Sequence, residues 1–572
     1  MSGINIEKSP YTLGIDLGTT NTSISVFKGG DAIVLKLEGK DSMPSVVRFP
    51  DRKLDNVQVG RFAKGYALVR PDEVFSSVKT IMRENNWESD ETLKAKFNID
   101  GVQKEPVHIA AEILKKAIEE VQNQDDFDID GEPQNAVICV PANTTDEYRK
   151  NIYKAAELAG LGEKDENGDI IKDDAGRIKG IRLLEEPLAA SLAYGLDMGI
   201  FAEDDTREQT ILVYDLGGGT FDVTILKLDA SVETREKNGG FPKFEILSTM
   251  GVAKLGGDDF DNELMKICAA QFLEDTNIDL FDTSKDNNAT SKKTILNALQ
   301  RLKEESEKAK IELAGGKNKV EINIPGFLKD GDGTTHSLEV EIERKDFFEK
   351  IKPLIDQTTQ CVKDALSEAG LSGMDEINRV VLVGGSTKAG WIKEEVSKLG
   401  KEPYVAKNVD VIVSRGAAWY GNNVPEQHSE EEPDFGKVTT HHMGVALQGS
   451  KFGLVMEKGI EIPEEGVKCK QRFKVPQNRN AVNIEIWKTQ QPLNFTVEET
   501  PEPIDGFFMP REHEPLFITT KDNKFECIGT KVIRGLQSGE AIDIIMKTGK
   551  DQITEVFLKT ENSNIEERIK LD

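Results

Sequence analysis

Cysteine is scarce and scattered. The five thiols, Cys139, Cys268, Cys361, Cys469 and Cys527, show no CxxC spacing and are odd in number, which argues against a disulfide framework and against a zinc site. The six histidines form no ligand pattern, and the one adjacent pair, His441-His442, would point to opposite faces of a strand. No apolar run approaches the length of a membrane span, and residues 1–11 are polar, without the apolar stretch of a signal peptide. A cytoplasmic protein with no membrane partner is therefore expected. Positive charge is also in deficit: 73 Lys+Arg against 101 Asp+Glu give a net charge of −28. That argues against nucleic acid as the main partner, because a phosphate backbone is gripped through clustered cations.

What the chain does have is length and glycine turns. At 572 residues, 38% hydrophobic and 30% charged, it is a soluble globular chain too long for one core, so two or more domains are expected. Its organising stretch is Leu212-Val213-Tyr214-Asp215-Leu216-Gly217-Gly218-Gly219-Thr220-Phe221-Asp222, an apolar strand running into a glycine turn bracketed by two aspartates. Consecutive glycines let backbone N–H groups converge on one point, which suits a phosphate. The flanking aspartates suit Mg²⁺ held largely through water. A glycine turn often only joins two strands, but this design recurs. Gly14-Ile15-Asp16-Leu17-Gly18-Thr19-Thr20 has the same order of strand, aspartate, Leu-Gly and threonine, which points to duplication of a whole lobe gripping a polyphosphate from both sides. A third stretch, Val380-Val381-Leu382-Val383-Gly384-Gly385-Ser386-Thr387-Lys388, leads from a buried strand towards a helix.

Strand, turn and helix alternate along the first 420 or so residues, as in an α/β domain. Strands are expected over 11–16, 22–28, 32–37, 45–49 and 136–140. Helices are expected over 108–121, from 145 to 158, over 188–194, after the strand and turn 255–261, and over 295–313. Residues 163–179 read as a surface insertion. Nothing in its local spacing singles out Lys79. Glu186, beside Pro187 at a helix start, fits a simple interaction with the helix dipole as well as a functional role. Residues 425–437, with Glu430-Glu431-Glu432 between Pro425 and Pro433, read as an acidic linker between an α/β domain over 1–424 and a β domain over 438–572. In that last part Val482, Ile484 and Ile486 alternate as on a half-buried strand of an antiparallel β-sandwich.

These motifs, with Leu255-Gly256-Gly257-Asp258-Asp259-Phe260-Asp261, Glu186-Pro187, Val140-Pro141-Ala142 and Glu307-Lys308-Ala309-Lys310, stand in the order found in one family. The chain resembles the 70-kDa heat-shock chaperones, the DnaK-like members of the actin-like ATPases. The resemblance implies a two-lobed α/β ATPase domain around a nucleotide cleft, then a β-sandwich that binds extended hydrophobic peptides. It implies that Lys79 works at the terminal phosphate, with Asp222, Glu186 and Thr220 beside it. Asp16, Asp215 and Glu186 would hold Mg²⁺ largely through water. ATP or ADP would lie against Gly18, Thr19, Thr20, Gly217, Gly218, Gly219, Gly256 and Gly257, with Glu307, Lys310, Gly384, Gly385, Ser386, Lys388 and Asp410 on the adenosine side. Val445, Val482 and Ile484 would line the peptide groove, although their spacing equally suits an ordinary sandwich core.

Several positions depart from the family pattern. Lys388 stands for an arginine stacked on the base, Ala314 for a serine, and Val409-Asp410-Val411 for Pro-Asp-Glu. The linker Asp434-Phe435-Gly436-Lys437 is poor in apolar residues, Gln448 and Pro476 stand at the arch over the peptide pocket, and Glu185 replaces an asparagine on the surface shown to J-domain partners. With Asp572 the last residue of the sequence, the family's helical lid is expected to be missing. The expectation is a monomeric, Mg²⁺-dependent ATPase and chaperone of polypeptide clients, served by a J-domain co-chaperone and a nucleotide-exchange factor. The alternative is an actin-like ATPase that acts as a scaffold or filament, with the β domain as docking module. A sugar or metabolite kinase on the same fold comes third.

Overall fold

The computed structural model describes residues 9–67, 70–84, 87–123, 131–142, 144–173, 177–199, 208–237, 242–252, 254–282, 291–406, 408–424, 439, 441–447, 451–460, 462, 466–489, 525–549 and 552–571. The expected linker, 425–437, lies outside them, as does Gln448. Two compact units emerge, one of residues 1–142, 151–227 and 248–427, the other of 143–150, 228–247 and 428–572. Among the described residues no helix is long and apolar enough to cross a membrane.

Two sheets of the same design run through residues 12–405. One contains β1 (Thr12–Leu17), β2 (Asn21–Lys28), β3 (Asp31–Leu35), β4 (Asn135–Val140) and β5 (Ile181–Glu185), in the order β5-β4-β1-β2-β3. The other contains β6 (Glu208–Leu216), β7 (Phe221–Asp229), β8 (Lys243–Val252), β9 (Arg379–Val383) and β10 (Tyr404–Val405), in the order β8-β7-β6-β9-β10. Read from its other edge, the second order repeats the first. In both, the strand that carries the aspartate and glycine turn runs parallel to a later strand, β1 to β4 and β6 to β9. The lobe duplication inferred from two short motifs is thus a duplication of whole sheets.

Seven helices matter for the site: α1 (Val78–Glu84), α2 (Pro106–Gln122), α3 (Glu186–Asp197), α4 (Gly257–Thr276), α5 (Lys292–Ala314), α6 (Gly390–Ser397) and α7 (Ile412–Asn423). In α2 the apolar positions Ile109, Ile113, Ala117 and Val121 are all buried, as the 3.6-residue period requires. Helix α7 is buried almost throughout and lies against β1 and α3. Its approach depends on two glycines. A Cβ at Gly14 would come 2.2 Å from the Ala418 nitrogen, and one at Gly416 would come 1.7 Å from the Ala189 carbonyl oxygen. The Ser414 hydroxyl meets those of Ser23 and Ser25 at 3.1 and 2.9 Å, so the polar atoms trapped beneath the helix bond to one another. Gly416→Ala is expected to lower the stability of this unit by about 1–3 kcal/mol, because backbone cannot yield as a flexible side chain can. A calorimetric melt with an unchanged first transition would contradict this.

In the second unit, β11 (His442–Leu447), β12 (Lys451–Met456), β13 (Val467–Lys474), β14 (Ala481–Thr489), β15 (Glu526–Arg534), β16 (Ala541–Thr548), β17 (Thr554–Thr560) and β18 (Glu566–Ile569) form two four-stranded sheets. Their orders are β12-β11-β14-β15 and β13-β16-β17-β18, with antiparallel pairing throughout. The two sheets share one apolar core that includes Met443, Ile486, Ile544, Val556 and Leu558. Val445 and Ile484 lie inside that core, and Val482 packs at its border.

Candidate functional site

The two glycine turns face each other across one cleft of the first unit, of about 510 Å³. A Cβ at Gly218 would come 2.1 Å from the Thr20 hydroxyl, and one at Gly219 would come 3.6 Å from the Thr19 methyl. The halves thus approach as closely as glycine allows. The turn itself closes by a 3.0 Å bond from the Gly217 N–H to the Thr220 carbonyl.

Around that turn the other glycine motifs converge. The Gly257 N–H donates to the Gly217 carbonyl at 3.0 Å, and the Asp258 N–H to the Gly218 carbonyl at 2.7 Å. The first turn of α4 is thereby fixed against the glycine turn. From the third motif, the Ser386 hydroxyl donates to the same Gly217 carbonyl at 2.8 Å. Gly384 holds φ at +85°, and a Cβ there would lie 2.4 Å from the Leu216 carbonyl oxygen and 2.7 Å from Asp215 Oδ1. Three separated motifs are therefore parts of one cradle.

At the floor of the cleft Lys79 Nζ, on α1, donates to Glu186 Oε1, on the first turn of α3. Asp16 and Asp215 close this floor from the ends of β1 and β6. Desolvation pushes the Asp16 carboxyl up to about 7, with the charges of Glu186 and Asp410 adding to it and Lys79 opposing. Desolvation also drives Asp215 well above the usual carboxylate range, aided by Glu186, Asp222 and Asp16. So many carboxylates in one desolvated place are stable as anions only beside added positive charge. Among the described residues no three potential ligands converge closely enough to bind a metal directly. An all-oxygen set that leaves room for water fits hydrated Mg²⁺.

The cleft brings together Asp16, Gly18, Thr19, Thr20, Lys79, Glu186, Asp215, Gly217, Gly218, Thr220 and Gly257, and at its other end Glu307, Lys310, Gly384, Gly385, Ser386, Lys388 and Asp410. Gly219, Gly256 and Asp222 lie outside its lining. Gly256 presses on the turn from behind, where a Cβ would come 2.5 Å from the Gly218 backbone. Asp222 is held instead by Arg83, whose guanidinium nitrogens lie 3.3 and 3.1 Å from its oxygens.

At the wide end the cations are already engaged. Lys310 pairs with Asp261 at 2.8 Å and donates to the Gly257 carbonyl at 3.0 Å. Desolvation outweighs that lysine and lifts the Asp261 carboxyl to about 6. Lys388 pairs with Asp410, and Glu307 pairs with Lys64 at 3.2 Å. Ile311, 60% exposed, and Ala314 give this end an apolar wall. Sequence reasoning missed Ile311, Lys64 and Arg83. Arg83 had a usable signal, since it stands four residues after Lys79 and so shares its helix face.

The family model described as Hsp70 protein matches residues 12–499, which is most of the chain. Paired glycine turns on duplicated sheets, the cleft between them and the two antiparallel sheets over 442–569 accord with that match. The chain therefore belongs to the Hsp70 family, with the nucleotide-binding, ATP-hydrolysing and polypeptide-chaperoning function of that type.

Proposed function

We propose that this protein hydrolyses ATP in the cleft of its first unit and uses the nucleotide state to control binding of extended hydrophobic segments by its β unit. The observation that carries the reading is the apposition of the two glycine turns over the Lys79–Glu186 pair. Backbone N–H groups and the hydroxyls of Thr19 and Thr220 hold the polyphosphate from both sides. Lys79, kept in place by Glu186, orients the attacking water and offsets charge developing on the transferred group. Mg²⁺, held through water by Asp16, Asp215 and Glu186, supplies charge neutralisation of the phosphates when bound. Positioning and electrostatics thus carry the reaction, as phosphoryl transfer to water requires.

Adenosine lies toward Glu307, Lys310, Gly384, Gly385, Ser386 and Lys388. Lysine has no planar guanidinium to lie on a base, so Lys388→Arg is expected to tighten ADP binding by about 0.5–1 kcal/mol. Titration calorimetry giving equal or weaker affinity would count against a base at this position. In the β unit, Val445, Val482 and Ile484 contribute to the apolar surface that receives a client, with backbone bonds along an extended peptide. The protein works as a cytoplasmic monomer with a J-domain co-chaperone and an exchange factor.

Steady-state ATP hydrolysis, with and without Mg²⁺ and with and without an extended apolar peptide, tests the reading. A metal-dependent rate that rises with peptide is expected. A rate that survives chelation of Mg²⁺ would remove the assigned metal role, and indifference to peptide would reduce the β unit to a docking module.

A further inference from the structure

Helix α1 carries two cations one turn apart on a single face, and each meets a different carboxylate. Lys79 engages Glu186. Arg83 reaches Asp222 with both terminal nitrogens, Nη1 to Oδ2 at 3.3 Å and Nη2 to Oδ1 at 3.1 Å. This is a fork-on-fork pairing that fixes direction as well as distance. The two side chains are only 13% and 12% exposed, where an unmatched carboxylate is costly.

A second element lies close against Asp222. The backbone of Gly251 on β8 lies so close that a Cβ there would come 2.5 Å from Asp222 Oδ1 and 2.8 Å from the Phe221 carbonyl oxygen. The carboxylate therefore has a guanidinium bonded to it and, at Gly251, a strand position with no room for a side chain. Asp222 stands two residues beyond Thr220, where the glycine turn enters β7. A shift of Asp222 would therefore be passed to the turn that faces the phosphates.

We propose that Arg83 is a positioning residue for ATP hydrolysis, setting the direction of the Asp222 carboxylate from the same helix that presents Lys79. The proposal rests on the reading that Asp222 serves the hydrolytic step. Lysine at this position could satisfy the charge but not the two-pronged geometry.

Single-turnover ATP hydrolysis and ADP dissociation, measured on the full chain, test it. Arg83→Ala is expected to slow the hydrolytic step roughly tenfold or more, with ADP release little changed, and Arg83→Lys to restore part of the rate. Gly251→Ala, which leaves the ion-pairing groups intact but crowds the carboxylate, should give a similar loss. In an Asp222→Asn background Arg83→Ala should cost almost nothing more, because both act through one group. Circular dichroism melts identify any variant that fails to fold.

A slow Asp222→Asn enzyme beside a fully active Arg83→Ala enzyme would overturn the proposal. Fully additive losses would overturn it too, as would faster ADP release at an unchanged hydrolytic rate, which would make Arg83 a clasp between segments. If Asp222→Asn keeps the normal rate while Lys79→Ala is slow, the role given to Asp222 fails and the proposal falls with it, while the ATPase reading stands.

Discussion

Lys79→Ala is expected to slow single-turnover ATP hydrolysis by about 10²–10³-fold, the usual loss when one preorganised charge donor is removed from a transition state. ADP affinity should stay within a few-fold. Lys79 lines the cleft floor and bonds to Glu186, with both side chains about a tenth exposed, so its charge acts in a place that water screens weakly. Removing it leaves Glu186, Asp16 and Asp215 with a smaller share of positive charge, at the point where the reaction would add more negative charge. In the proposed site the diphosphate would rest mainly on the glycine turns, which the substitution does not touch. A rate within threefold of the parent would show that Lys79 is a structural partner of Glu186 and no more.

Gly384→Ala should act on the other parameter and weaken nucleotide binding by about ten- to a hundredfold. Two effects coincide at this residue. Its φ of +85° disfavours a side chain, and the added Cβ would collide with the Leu216 carbonyl and with Asp215. Relief requires moving either the strand end that carries Asp215 or the loop that holds Ser386, and both belong to the cradle. Such overpacking costs about 1–3 kcal/mol, and each 1.4 kcal/mol is tenfold in affinity. Gly459→Ala provides the comparison, because Gly459 has the same φ of +85° but open space around it. It should show the conformational cost as a small loss of stability, with nucleotide affinity intact. Equal affinity for Gly384→Ala and the parent protein would remove the 384–388 loop from the nucleotide site.

How far the sequence disclosed this arrangement depended on the range of the interactions. The phosphate turns were legible because their chemistry is local: consecutive glycines beside an aspartate can be read from Asp215 to Asp222 without knowing what lies opposite. Helix α2 and strand β14 were legible for the same reason, each burying one periodic face. The Lys79–Glu186 contact was not, since it joins α1 to the first turn of α3 and neither residue looks unusual in its own segment. Only the family resemblance singled out Lys79. The Asp222–Arg83 pair shows the same limit, and there the resemblance gave Asp222 a place but no partner.

Other parts were passed over although a pattern was present. Val320, Ile322 and Ile324 alternate along the hairpin strand Lys319–Lys329, which pairs with Thr335–Glu343, yet no chemical motif drew attention to it. In the β unit the period-2 spacing of Val482, Ile484 and Ile486 left groove and core undecided. The structure places Val445 and Ile484 in the sandwich core with Val482 at its border.

In the proposed cycle the nucleotide in the first unit governs peptide binding by the second. The most direct measurement is the dissociation rate of a fluorescent extended apolar peptide from the full chain, in saturating ATP with Mg²⁺ and again in saturating ADP. The peptide is expected to leave at least tenfold faster with ATP, with the difference set by which nucleotide occupies the cleft. Equal dissociation rates in ATP and ADP, from a protein that hydrolyses ATP in a Lys79-dependent way, would contradict it.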